Sequence, residues 1–411
     1  MATSFLSDLL VSVAARGRSL LGIEAGIADV EGLVEQCEAL VSWRGEATGM
    51  AIAQSVFECF ERLRAGQRTE FFHALAARFG VDQEGLRSAI AAWQEEASEA
   101  RAAALHGASE PRRQELLRRL NRAPHGTRRL VDMRASLLAA LGSESGLEIA
   151  DQDFTHLFSS WFNSGFLELR RIDWSTPAML LDRIIRYEAV HEITDWAQLR
   201  CRIEPPDRRC YAFFHPALGD EPLIFVEVAL TRSIPEAIAP VLAVERKPLA
   251  PDETDTAIFY SISNCQAGLR GISFGNFLIK QVVAEIAHEL PQIRTFATLS
   301  PIPGFTRWLR TAAAAQADDP VLGSAAQTVL GQVAETAWDA DEDRAKSLRA
   351  PLLSLAAHYF LAAKNGAGEP LDPVARFHLG NGARLDGINW LGDRAERGLA
   401  ESLGLMANYV Y

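Results

Sequence analysis

The sequence has 411 residues, 48% apolar and 23% charged, which is the balance of a soluble globular protein; its length suggests roughly two or three domains. A formal net charge of −12 disfavours nucleic acid as the main partner, because a phosphate backbone repels such a surface. No apolar run reaches the roughly 18 residues a membrane-spanning helix needs.

The opening MATSFLSDLLVSVAARGRSLLG is amphipathic with a few arginines, as an organellar presequence is. Asp8 and the quick passage into an ordinary helical pattern favour a first structural helix instead. Residues 1–165 are rich in Ala, Leu, Glu and Arg, with apolar residues at three- and four-residue intervals, as in SFLSDLLVSVA, MAIAQSVFECFERL and EFFHALAARF. That periodicity predicts an all-α domain, broken by turn signals near Gly80, His106–Pro111 and Pro124–Gly126. The segment PRRQELLRRLNRAPHGTRRL carries seven arginines and reads as a solvated helix face rather than an anion patch.

From about Arg170 short β-branched and aromatic runs appear: CYAFFHP, PLIFVEVAL, TAIFYSIS and RTFATLS. They mix with helical patterns such as PAMLLDRIIRYEAV, and residues 311–363 return to an Ala-rich helical texture. In ARFHLGNGARLDGINWL an Asn-Gly pair between two short runs signals a hairpin or tight loop, with His378 on a short strand as the bland expectation. The expected fold class is α+β, with a helical domain over 1–165 and a mixed α/β domain over 166–411. The five cysteines are scattered without CxxC spacing, and no secretory leader precedes them, so a reducing compartment is expected. No His, Cys and carboxylate cluster has metal-ligand spacing, so no metal is expected.

Thr256–Ser300 reads as a strand, a glycine-bearing loop (NCQAGLRGISFG), an amphipathic helix (NFLIKQVVAEIAHEL) and a second strand. Free N–H groups at a helix start favour anions, so this loop is a candidate pyrophosphate cradle. The order resembles the core of GNAT-type N-acetyltransferases, whose loop pattern is Q/R-x-x-G-x-G/A. The register here is Arg270-Gly271-Ile272-Ser273-Phe274-Gly275, followed by Asn276, with Ser273 in place of the middle glycine.

The runs AIFYSISNCQAGLRGISFGNFLIK, TLSPIPGFTRWL, FHLGNGARLDGINWLGD and GLMANYVY closely resemble the malonyl-CoA decarboxylase family, as do YEAVHEI, RRCYAFFHP and EPLIFVEVALT. The resemblance covers most of residues 160–411. It implies cleavage of malonyl-CoA to acetyl-CoA and carbon dioxide by a GNAT-like catalytic domain, with the coenzyme A thioester as substrate and no separate cofactor. It further implies a coenzyme A loop at Arg270, Gly271, Ile272, Ser273, Phe274, Gly275 and Asn276. Ser300 is implied as proton acceptor and His378 as proton donor, and Tyr411 lies close by. Tyr411 is expected to support Ser300 or the substrate carboxylate, with a frayed end as the alternative. Ser273 stands where some relatives are expected to carry glutamate. A cytoplasmic homo-oligomer, dimer or tetramer, assembled through the helical domain is also implied. Two rivals are weighed: an acyltransferase using acetyl-CoA, and a non-catalytic malonyl-CoA sensor.

Overall fold

A computed structural model describes residues 29–42, 45–272, 278–315, 319–334 and 338–411. The amphipathic opening and loop residues Ser273, Phe274, Gly275 and Asn276 lie outside the described residues. The chain forms two compact units: Met1–Leu167 with His215–Gly219 and Gln266–Phe274, and Glu168–Phe214 with Asp220–Cys265 and Gly275–Tyr411.

Within its described residues the first unit is helical, from Val30–Ser42 to Glu148–Trp161, because its apolar residues recur on one face of each helix. Val30–Ser42 buries Leu33, Val34, Cys37 and Leu40 in one stripe. The rings of Phe60, Phe71 and Phe72 pack with centroids 5.6, 5.7 and 5.9 Å apart. Each such ring taken from water contributes about 1.5–3 kcal/mol. The arginine-rich segment is not simply a solvated face. Arg113 is buried and bonds Asp153 at 2.6 Å and the Ala76 carbonyl at 3.1 Å, while Arg119 and Arg129 pair with Glu115 and Glu61. The Arg113 and Arg129 bonds join separate helices, which a count of charges along the chain does not reveal.

The second unit is built on a mixed sheet of eight strands: β1 Glu168–Ile172, β2 Arg208–Phe214, β3 Pro222–Thr231, β4 Thr256–Asn264, β5 Thr295–Thr298, β6 Ser300–Pro301, β7 Arg384–Asn389 and β8 Met406–Val410. The order is β1-β2-β3-β4-β5-β8-β6, with β7 also on β8. Neighbouring strands are antiparallel except β4 and β5. A parallel pair needs a crossover, which the helix Leu278–Glu289 supplies. The strand, loop, helix and strand expected from the GNAT resemblance are therefore present in that order.

The four β-rich runs picked out above coincide with β2, β3, β4 and β5. β2 is buried along its whole length and β3 to all but its last residue, so both faces are covered and the apolar runs are nearly continuous. The YEAVHEI segment has a structural role: the Glu188 carboxylate accepts from the N–H groups of Val190 and His191 and from the hydroxyls of Ser261 and Ser263 on β4.

One expectation changes. His378 lies in the last turn of a helix, Pro373–Gly380, and not on a strand. Asp372 caps that helix by accepting from Val374 N at 3.0 Å and Ala375 N at 2.8 Å, and Pro373 suits its first turn. The Asn-Gly pair then makes the tight turn, with Gly382 at φ +88°, that reverses the chain into β7.

Candidate active site

β4 and β5 pair only from Thr256↔Thr295 to Phe259↔Thr298, and Leu299 N adds a last bond to Phe259 O at 3.0 Å. β4 runs on to Asn264 while the other strand turns to β8, where Ser300 pairs with Ala407. Ser300 thus stands where two parallel strands part.

Thr298 and Ser300 are two apart on an extended segment, so their side chains share a face. The Ser300 hydroxyl donates to Thr298 Oγ1 at 2.8 Å, and Tyr409 N donates to the same oxygen at 3.3 Å. On its other side Ser300 Oγ lies 3.3 Å from His378 Nε2. The opposite ring nitrogen, Nδ1, lies 2.7 Å from the Tyr411 hydroxyl. With Ser300 donating to Thr298, its oxygen accepts from Nε2–H and Nδ1 accepts from Tyr411. One neutral tautomer therefore satisfies the chain Tyr411, His378, Ser300, Thr298.

The cluster is dry. Ser300 and His378 are 6% and 3% exposed, and Thr298 and Tyr409 are fully buried. The His378 ring lies on Tyr409 with centroids 4.6 Å apart and planes at 25°, and Phe377 approaches it edge-on at 5.1 Å. Burial lowers the His378 pKa from its ordinary 6.5 to about 3, so the ring is neutral near pH 7. The ordinary value that makes histidine an apt proton donor does not hold in the free protein. Asn408 braces the same corner, donating to the Thr298 carbonyl at 2.8 Å and accepting from Asn389 at 2.6 Å.

Tyr411 is anchored as well as close. Its N–H bonds Phe296 O at 3.0 Å and its ring packs on Phe259. Its hydroxyl pairs with His378 and not with Ser300.

From Gln266 to Ile272 the glycine-bearing loop belongs to the first unit. Gly271 has φ +81°, a conformation that favours glycine, and Ile272 is buried. The Arg134 guanidinium donates to Gly268 O at 2.7 Å and Arg270 O at 2.9 Å, and pairs with Asp151 at 2.7 Å. A Cβ on Gly268 would fall 1.9 Å from the Val131 carbonyl oxygen. A helix far away in sequence therefore fixes the loop's backbone, and nothing in the local sequence marks Arg134. Among the described residues no three His, Cys, Asp or Glu side chains gather as metal ligands.

Residues 165–411 match the malonyl-CoA decarboxylase C-terminal domain, and residues 79–162 match the N-terminal domain of the same name. The chain belongs to the malonyl-CoA decarboxylase family. That family consists of carboxy-lyases. The mitochondrial malonyl-CoA decarboxylase of Anser anser anser is 37% identical over 86% of this chain and 76% of its own length. Among solved structures, malonyl-CoA decarboxylase from Rhodopseudomonas palustris is 54% identical, with 93% of each chain covered and a TM-score of 0.88. The Agrobacterium vitis enzyme is 52% identical over 92% of each chain, with a TM-score of 0.86.

Thr298, Tyr409 and Asn389 were not singled out from the sequence. Two hydroxyls at i and i+2 in TLSP were the available signal for Thr298. The other two lie in the quoted runs GLMANYVY and FHLGNGARLDGINWLGD, where no spacing or residue type marks their roles.

Proposed function

We propose that this chain decarboxylates malonyl-CoA to acetyl-CoA through a thioester enolate, with Ser300, His378 and Tyr411 at the reacting group. The observation that carries the reading is the buried contact of 3.3 Å between Ser300 Oγ and His378 Nε2 in a chain of this family.

The bond between the α-carbon and the carboxylate breaks, carbon dioxide leaves, and the electron pair moves into the thioester carbonyl. The substrate is its own electron sink, so this route calls for no separate cofactor. The protein must orient the carboxylate, stabilise the enolate and return one proton to the α-carbon. A malonyl carboxylate arriving beside His378 favours the protonated ring, opposing the burial that keeps it neutral in the free protein. The imidazolium then gives its proton to carbon and returns to the neutral form, drawing the next proton from water. Ser300, a weak base, hydrogen-bonds the carboxylate or relays the proton.

Arg270, Gly271, Ile272, Ser273, Phe274, Gly275 and Asn276 are assigned to the coenzyme A pyrophosphate. The positive φ of Gly271 and the bracing by Arg134 support a fixed backbone at Arg270 and Gly271. A homo-oligomer is supported by Gln83–Glu95 and Glu99–Ala108, two helices with no buried residue, on which Ile90 and Trp93 are 38% and 41% exposed.

The test is the purified protein with malonyl-CoA, following acetyl-CoA and carbon dioxide, alongside His378→Ala. The expected result is stoichiometric release by the wild type and loss of turnover in the variant with coenzyme A affinity nearly intact. Binding without release would make the chain a sensor, and consumption of acetyl-CoA only with an amine would make it an acyltransferase.

A further inference from the structure

The Asp372 carboxylate is 1% exposed, carries no ion-pair partner among the described salt bridges and takes no part in the chain from Tyr411 to Thr298. A carboxylate buried this deeply is costly unless both oxygens are satisfied. Here they are, by groups from two segments. One oxygen accepts from Val374 N and Ala375 N, capping the helix that carries His378. The other accepts from the Tyr359 hydroxyl at 3.3 Å, on the long helix Glu342–Leu361. The Gly304 backbone packs against this oxygen and the Tyr359 hydroxyl. Gly304 lies in the turn that follows Ser300, at the start of the helix Phe305–Ala314.

The same place explains the glycine. A Cβ on Gly304 would lie 2.3 Å from the Tyr359 hydroxyl and 3.8 Å from an Asp372 oxygen, so only a bare backbone can come this close. Ala375 and His378 are the buried residues of the Pro373–Gly380 helix, so the face fixed at its capped end is the face that presents the imidazole. Ser300 and Gly304 are joined by a short run with two prolines, which fix two of its φ angles.

We propose that Asp372 is a positioning residue that fixes the separation of Ser300 and His378 by tying the turn after the serine to the start of the histidine's helix. The inference rests on the reading above, that these two side chains carry the chemistry. Asp372 reaches no reacting atom on this account. It holds two backbone segments in register, and a shift of an ångström between reacting groups can cost about a hundredfold in rate.

Asp372→Asn tests this. An amide has one acceptor oxygen, so the variant keeps either the helix cap or acceptance from the Tyr359 hydroxyl that packs on Gly304, and cannot hold both as the carboxylate does. The expected result is a folded protein whose kcat falls on the order of ten- to a hundredfold, with KM for malonyl-CoA changed by less than about twofold. Gly304→Ala attacks the same link from the other side and decides the matter if the first variant fails to fold. A merely structural aspartate would lower the melting temperature and leave the kcat of the folded fraction at the wild-type value; that outcome overturns the proposal, as does a loss confined to KM. His378→Ala, assayed in parallel, separates the two levels. Turnover surviving in that variant sinks the catalytic reading itself. An inactive His378→Ala beside a fully active Asp372→Asn sinks only the role given to Asp372.

Discussion

The Tyr411 hydroxyl lies 2.7 Å from Nδ1 of His378, closer than the ring's other nitrogen lies to Ser300 Oγ. The tyrosine thereby selects which nitrogen carries the proton: with its hydroxyl donating to Nδ1, the N–H of the neutral ring points at the serine. A residue 33 positions further along the chain sets the tautomer of the histidine.

Tyr411→Phe removes that donor and leaves the ring's packing in place. If the bond is made in the transition state, the about 1–3 kcal/mol lost with it corresponds to a roughly five- to hundredfold fall in kcat. Steady-state kinetics with malonyl-CoA check it, and KM is expected to stay near the wild-type value. An unchanged kcat would remove Tyr411 from the mechanism.

Acid sensitivity follows from the buried histidines. Burial lowers His378 to about 3, and burial with Arg202 nearby lowers His191 to about 4. Between these values and the ordinary 6.5 the unfolded chain binds protons that the folded chain refuses. Their contribution to stability is complete above about pH 6.5 and declines as pH falls through the window. Glu227 has the opposite sign: burial and Glu188 raise it to about 8, so its contribution is lost as pH rises through that value. In urea unfolding at pH 7, 6 and 5, His378→Asn is expected to lose stability less steeply than the wild type, by up to about 1 kcal/mol per pH unit. Parallel curves would show that the ring titrates normally in the folded protein.

Arg134→Met deletes the donors to Gly268 O and Arg270 O and strips Asp151 of its partner. If the loop holds the pyrophosphate, Kd for coenzyme A rises about tenfold by calorimetry. Turnover at saturating malonyl-CoA stays within about a factor of two. A fall in kcat with unchanged Kd would mean that the loop's shape matters for something other than binding.

Gly268→Ala places a methyl against the Val131 carbonyl oxygen, a backbone atom that cannot swing aside. Overpacking of this kind costs about 1–3 kcal/mol or more, and a thermal melt reads it as a clear drop in Tm. A wild-type melting curve would show that the helix Gly126–Ala140 and the loop have room to part.

Fold class, four of the strands, the helix between β4 and β5, and the family can be read along the chain, because each is written in local periodicity or in contiguous words. The candidates Ser300 and His378 each come from a distinctive run, and the structure sets their side chains 3.3 Å apart. Which side chains meet is a matter of packing between distant segments. β8 brings Tyr409 and Tyr411 to a histidine from another helix, Asp372 joins segments that share no sequence pattern, and Arg134 reaches a loop 134 residues away. The pKa of His378 belongs to the second group as well, since desolvation is a property of the packed surroundings and not of the residue.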